Sequence, residues 1–357
     1  MVLGASALVL TACGDAPEPA RKEAPAVVWR AAPSLPAPVS NNAVAALETA
    51  DGVAVFSFLG MDETKTWSGV QNAAYRWDVG TDAWRELPPV PGVGRLASTA
   101  QVVNGKVYVI GGYTVAEDGT EVSVPDVNIF DPETDTWSRG ANIPLPTDDA
   151  VSGVWRESLI VLVSGWHDSD NVAAVQIYDP ALDQWTDATP ISGVPVFGHT
   201  GTVVGDVIAY VDGVRTDGGD PRFVMDEASW HGDISPDAPA SIDWRSIPQH
   251  PGVPLYRAAG GAVGGVAVFV GGTSNPYNYD GIGYDGEPSQ PIRQVLAYVE
   301  SSHDWLRLAA PPLATMDHRT LGVAGGQVFL VGGMEQDQVV SDGVWYAEVD
   351  VLLGSAF

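Results

Sequence analysis

Residues 97–137 read ASTAQVVNGKVYVIGGYTVAEDGTEVSVPDVNIFDPETDTW, and this stretch decides the fold. It opens with small and β-branched residues, Ala97–Val103. Asn104-Gly105 follows, a pair suited to the two positive-φ positions of a tight hairpin turn. Val107–Ile110 is a second apolar run, and it stops at Gly111-Gly112. A polar loop then leads to a third run ending at Phe130. Asp131-Pro132 opens another short turn, and Trp137 lies in the run after it. Four short runs separated by turn signals predict four antiparallel strands, a to d, in one small sheet.

The same marks recur along the chain, which is the signature of a repeat architecture. Apolar runs end at Leu59-Gly60, Gly111-Gly112, Ser164-Gly165, Asp212-Gly213, Gly271-Gly272 and Gly332-Gly333. The final glycines stand 52, 53, 48, 59 and 61 residues apart. Units one, three and four keep only the second glycine of the pair. Trp84, Trp137, Trp185, Trp244 and Trp305 recur in step, after turns of which Phe130–Trp137 and Tyr178–Trp185 are near copies. Six glycine marks thus lead to five tryptophan marks. The sixth precedes the first unit: Trp29-Arg-Ala-Ala-Pro33 matches Trp84-Arg-Glu-Leu-Pro88. The last unit runs out after Val344–Val351 with no strand d of its own. An amino-terminal strand at 27–31 is therefore expected beside strand c of the final unit, near 344–349. Such closure removes unpaired sheet edges. Strand a is rich in small residues (Ala43–Ala46, Ala258–Gly261), which suits the crowded axis of a radial array.

Composition agrees. Of 357 residues, 45% are hydrophobic, enough for a substantial core, and 40 Gly with 27 Pro favour turns and short strands. The 45 acidic residues against 17 basic ones give a net charge of −28, a surface that repels phosphate, so no nucleic-acid partner is expected. The single cysteine, Cys13, leaves no internal disulfide and no cysteine metal cluster. No Gly-x-Ser-x-Gly, Walker loop or His-Glu-x-x-His is present.

Taken together, the glycine pair, an aromatic at the end of strand c and a tryptophan in strand d resemble the kelch repeat. The resemblance covers roughly residues 27–350. It implies an all-β fold, a six-bladed kelch-type β-propeller closed by an N-terminal strand that completes the last blade. Galactose oxidase also carries kelch blades, but its copper site depends on a cysteine-crosslinked tyrosine, and the cysteine here is at position 13. The bacterial sialic acid mutarotase, N-acetylneuraminate epimerase, is a cofactor-free six-bladed relative of similar size. A fold-level likeness to it implies general acid–base groups for sugar ring opening. The candidates would be His199, His318 and Asp149, with an arginine for the sugar carboxylate.

The amino end carries a separate message. An apolar run ends in small residues before cysteine, as at a secretory cleavage site. Leu10-Thr-Ala-Cys13 resembles the bacterial lipobox, which implies a diacylglycerol on Cys13. Residues 1–13 are then a lipoprotein signal peptide, 14–26 a Pro/Ala-rich tether and 27–357 a single propeller. The expected location is outside the cell, lipid-anchored to the bacterial cell membrane or outer envelope, with membrane contact through the anchor only.

In each unit the long loops after the glycine marks share a face with the openings of strand a. Functional residues concentrate on such loops. The openings are polar: Asn41-Asn42, Arg95, Asp148-Asp149, His199, Arg257 and His318-Arg319. Asn42, Arg95, Asp149, His199, Arg257, His318 and Arg319, with Tyr113 and Trp166 from the loops, form the expected ligand-binding set. Three arginines at equivalent openings, in a chain with only 14 Arg and 3 Lys, suggest forks for a carboxylate. Trp67, Tyr277, Tyr279 and Tyr284 add loop aromatics suited to sugars or protein partners. No cofactor is expected. Calcium is the ion that Asp280, Asp285 and Glu287, or Asp168 and Asp170, would suit by ligand chemistry. Two functions follow: a binding module for a carbohydrate or protein ligand at the loop face, or a cofactor-free sugar mutarotase or epimerase.

Overall fold

The backbone at the glycine marks explains the repeat. A computed structural model describes residues 29–348, and in it both positions of every mark have positive φ. The first position lies between 51° and 73°, in the left-handed region that Leu59, Ser164 and Asp212 can also enter. The second lies between 88° and 119°, beyond that region, so it requires glycine. Space is tight at both positions, a Cβ on Gly111 lying 2.4 Å from the Thr147 carbonyl oxygen and one on Gly112 2.4 Å from that of Leu96, so it is φ that singles out the second. Units one, three and four therefore keep the glycine that cannot be replaced.

Six four-stranded antiparallel sheets result. In blade 1 strands a to d are Ala43–Thr49, Gly52–Phe58, Ala74–Asp78 and Arg85–Glu86. Blade 2 has Thr99–Val103, Lys106–Ile110, Val127–Asp131 and Thr136–Arg139. Blade 3 has Val151–Trp155, Leu159–Val163, Val175–Asp179 and Gln184–Ala188. Blade 4 has Thr200–Val204, Val207–Val211, Ser229–Ile234 and Ile242–Ile247, and blade 5 Ala259–Val263, Val266–Val270, Val295–Val299 and Asp304–Leu308. Blade 6 takes strands a to c from Gly322–Ala324, Gln327–Val331 and Val344–Glu348, and strand d from Arg30–Ala31. Arg30 pairs with Tyr346 and Ala31 with Trp345, so the amino-terminal strand completes the last blade. Positions 1–28, with Cys13 and the tether, and 349–357 lie outside the described residues.

Strand a of each blade packs on strand a of the next, and the sixth on the first. The approach is close: a Cβ on Gly260 would lie 2.5 Å from the Gly201 carbonyl oxygen. Between blades the cores are apolar, as where Phe56 and Phe58 meet Val107, Val109 and Phe130.

Six indole hydrogen bonds tie the blades at the outside. Each strand-d tryptophan donates Nε1–H to a backbone carbonyl in the segment leaving strand d of the preceding blade. Trp84 reaches Pro33 at 2.8 Å, Trp137 Pro88 at 2.9 Å, Trp185 Ala141 at 2.8 Å, Trp244 Thr189 at 3.1 Å and Trp305 Pro248 at 2.8 Å. Trp29 reaches Ala309 at 2.9 Å and closes the circuit.

Removing residues 1–26 should leave the melting temperature unchanged. Extending the deletion through Pro33 should lower it sharply or cause aggregation, because it strips one strand and one tryptophan, with Trp29→Ala intermediate. Loss of a buried large aromatic costs about 3–5 kcal/mol. Equal thermal melts for the two deletions would mean that the amino-terminal strand contributes nothing to closure.

Candidate functional site

The loop face is built on a second ring of backbone. Asn41, Ala97, Asp149, Gly198, Arg257 and Asp317 occupy one equivalent position per blade, and all six have φ between 49° and 67°. Around the axis, Asp149 donates its N–H to Ala97, Gly198 to Asp149, and Arg257 to Gly198, at 3.3, 2.9 and 2.8 Å. Asn41 donates to the Asp317 carbonyl at 3.0 Å, and its side-chain oxygen accepts from Ala97 N–H at 2.6 Å. The left-handed turn aims the five side chains of this ring toward the axis, Gly198 having none, and the residues on either side elsewhere.

This register sorts the expected site residues. The three arginines are not equivalent: Arg95 stands two positions before the ring residue of its blade, Arg257 on it, and Arg319 two after. Arg95 is buried inside blade 2, donating to Ser98 Oγ at 3.2 Å and Asn128 Oδ1 at 2.7 Å, with Asp126 3.6 Å away. It braces a strand-a opening against strand c and does not join the other two. Asn42, His199 and His318 share the position after the ring residue and point into the wall. Asn42 Nδ2 donates to Ser57 Oγ at 2.8 Å, His199 Nε2 meets the Val163 carbonyl at 3.0 Å, and His318 Nε2 meets Thr315 Oγ1 at 2.9 Å. Burial pushes the His199 pKa down to about 4 and that of His318 down to about 3, the latter helped by Arg319, so both rings are neutral at pH 7.

Arg257 and Arg319 converge across the axis. Arg257 grips Asp149 with two bonds, Nε–Oδ1 at 3.2 Å and Nη2–Oδ2 at 2.7 Å, and its Nη1 donates to the Asn278 carbonyl at 2.7 Å. Its Nη1 also meets Asp317 Oδ1 at 3.3 Å. Arg319 of blade 6 reaches Asp149 of blade 3, directly opposite, at 2.6 Å, and the Asn41 side chain at 2.9 Å. Burial raises the Asp149 pKa, but the two guanidiniums outweigh it and hold this carboxyl below the usual range. The network closes the channel at the loop face. From the turn face the channel is open, with about 930 Å³ among Val102, Val154, Val203 and Val263.

Above the network lies a cavity of about 100 Å³. Four of the nine expected ligand residues line it: Tyr113, Asp149, Trp166 and Arg257. Sequence reasoning did not single out Glu121, Phe197, Phe223 or Asn278, which also line it. Asp148, one residue from the ring, accepts from Ser123 Oγ at 2.5 Å and is 2% exposed. Burial, then the charge of Asp149, pushes its carboxyl well above the usual range, and burial raises Glu121 as well.

The acidic loop residues that would suit calcium accept hydrogen bonds from protein groups. Asp285 Oδ1 accepts from Glu287 N–H and the Asn275 amide, Asp280 caps Ile282 N–H, Asp168 accepts from Ser123 N–H, and Asp170 from the Thr216 hydroxyl. Among the described residues no three His, Cys, Asp or Glu side chains gather as metal ligands. Gly281-Ile-Gly283-Tyr-Asp-Gly286 has the glycine spacing of a dinucleotide fingerprint, but it lies in the loop between strands b and c of blade 5 rather than between a strand and a helix.

Nine large apolar side chains are exposed among the described residues. Trp67, Val122, Ile282 and Val339 lie in b–c loops, and Val93, Val194, Val253 and Leu313 in connections from strand d to the next strand a. All eight are therefore on the loop face. Only Leu182, in a c–d turn, is on the other.

Residues 94–144 match the family described as Kelch motif. The chain is 26% identical to Kelch-like protein 15 of Gallus gallus over 151 residues, 42% of this chain and 30% of that protein. It is 28% identical to Kelch-like protein terF of Aspergillus terreus over 173 residues, 47% of this chain and 37% of that one. The alignments thus span about a third of the length of these relatives. Among solved structures, that of YjhT superposes with a TM-score of 0.69 at 16% identity, over 87% of this chain and 95% of that one, a likeness of fold.

The buried Asp148 gives a pH prediction with a definite sign. Its pKa is higher folded than unfolded, so between the two values the folded chain binds more protons, and stability falls as pH rises through that window. Asp148→Asn should remove this slope, leaving the variant more stable than wild type above the window. Melting curves of the two proteins that run parallel from pH 4 upward would refute the assignment.

Proposed function

We propose that this chain, a kelch-repeat β-propeller, is an envelope-anchored binding module that docks a protein ligand on its loop face. The observation that carries the reading is the placement of eight of the nine exposed large apolar side chains on that face. Apolar side chains offered from one face supply the anchors that a docking partner would bury. The net charge of −28 favours a basic partner and fast, salt-sensitive association.

The alternatives fit less well. A cavity of about 100 Å³ is below the size of pockets that enclose a small ligand such as a hexose. A mutarotase needs groups that exchange protons with the sugar. His199 and His318 do not line the cavity, and both Asp149 oxygens are held by guanidiniums.

The anchor reading rests on Leu10-Thr-Ala-Cys13 and is compatible with the fold. Strand d of blade 6 begins at the turn-face end, so Trp29 enters from that side and the loop face looks the other way. A tether over residues 14–26 would reach about 40 Å at about 3.3 Å per residue. Two acyl chains on one cysteine suffice for stable attachment. Cys13→Ser should move the protein from the detergent to the aqueous phase on phase partitioning, and wild-type protein already in the aqueous phase would end the anchor reading.

Docking is tested by charge on the apolar anchors. With a partner identified by crosslinking at the envelope, Trp67→Glu and Ile282→Glu should each weaken binding at least about tenfold, the usual effect of a lost anchor, without lowering the melting temperature. Leu182→Glu on the opposite face should have no effect. Equal losses in all three variants, or in none, would overturn the loop face as the docking surface.

A further inference from the structure

The cavity above the ion network has a charge imbalance. Asp148, Asp149, Asp317 and Glu121 lie in or beside it, against Arg257, Arg319 and, at the aromatic rim, Arg222. Asp149 and Asp317 are the two in contact with the guanidiniums. The other two have neutral partners: Asp148 accepts from the Ser123 hydroxyl and Glu121 from the Asn278 amide at 2.9 Å. Two carboxyls with no direct ion pair therefore face one small space, which Arg257 also lines.

A second, independent feature points the same way. The Tyr113 side chain is 4% exposed and lines the cavity, and its hydroxyl has no hydrogen-bond partner among the described residues. Beside Arg257 and Asn278 the rest of the wall is aromatic, and the Arg222 guanidinium stacks on the outer side of this cluster, over Trp166 and Phe223. Trp166, Phe223 and Tyr284 pack against one another at the half-buried rim, with ring centroids 5.6 Å apart for Trp166–Phe223 and 4.4 Å for Phe223–Tyr284. Carboxyl oxygens, a phenolic oxygen and ring faces together are what a primary ammonium seeks: acids that ionise against its charge, acceptors for its N–H groups, and π-density around its carbons. An anion fits poorly, because the Arg257 fork is already filled by Asp149, Asp317 and the Asn278 carbonyl.

We propose that this cavity is a subsite for an alkylammonium group, supplied either by a free small amine or by a lysine side chain of a docked partner. The lysine source rests on the protein-docking reading above; the free-amine source does not. The volume of about 100 Å³ accommodates a short alkyl chain with its ammonium head and leaves a peptide backbone outside.

The test is calorimetric titration of the whole protein with propylammonium, propionate and Nα-acetyl-lysine amide, at 0.15 M salt to screen the net charge. Propylammonium should bind saturably at one site, and propionate should not. Blocked lysine binding as well assigns the lysine source; propylammonium binding alone assigns the free amine. Asp148→Asn and Tyr113→Phe should each weaken binding about tenfold, the effect of losing one charge-assisted hydrogen bond. Glu63→Gln, an exposed acid on another loop, should leave it unchanged. No saturable amine binding, equal binding of propionate, or affinity unaltered in both cavity variants overturns the site. Thermal melts confirm that each variant is folded, and Tyr113→Phe adds no atom to the cavity. No partner protein enters this titration, so its failure and a failure of docking are read separately.

Discussion

Everything in this molecule depends on six indole N–H groups finding six carbonyls on the preceding blade. A blade of four short strands is a small sheet with two open edges and little core of its own. It becomes stable by burying its faces against two neighbours, and neighbours stay in place only if the circle is complete. The tryptophan bonds, from Trp84→Pro33 around to Trp29→Ala309, fix the spacing of the outer strands all the way round. The circuit includes one bond across the junction of the chain's two ends, so the earliest described residue is as much a part of the ring as any other.

The inner edge is governed by a different constraint. Strand a must begin with a left-handed residue so that the chain can turn from the loop face down along the axis. In three blades that residue is Asn41, Asp149 or Asp317, types that enter this region at low cost. The geometry then aims polar side chains at the axis, where they must satisfy one another. Asp149 and Arg319 of opposite blades do so across the channel, and Arg257 and Asn41 fill the gaps. The candidate cavity exists because this network lies below the rim, and the loops from blades 2 to 5 enclose the space above it.

Much of the ring was legible in the sequence, because its requirements act on single residue types. Only glycine tolerates the second position of each mark, and the tryptophans are spaced by blade length. Where the first glycine is lost, its substitute found local work: Ser164 Oγ bonds the Val172 and Val196 carbonyls, and Asp212 accepts from Leu255 N–H and His250. The site was less legible. Arg95, Arg257 and Arg319 stand near one another in any alignment of the repeats, yet a shift of two residues puts Arg95 inside a blade and the others at the axis. The direction of a side chain beside a left-handed residue depends on register to the single position, and a polar opening does not reveal that register. Glu121 and Phe223 reach the cavity from hairpins of individual length, Tyr113–Val115 with Glu121–Ser123 and Val214–Thr216 with Phe223–Met225, which follow no repeat.

The direct test of this account is hydrogen–deuterium exchange of the tryptophan indole protons, followed by NMR on the folded protein. Six protected indoles are required: Trp29, Trp84, Trp137, Trp185, Trp244 and Trp305, with Trp29 exchanging as slowly as the other five and far more slowly than the exposed Trp67. A Trp29 proton that exchanges at the rate of Trp67 while the remaining five stay protected would show that the ring is not closed by its amino-terminal strand.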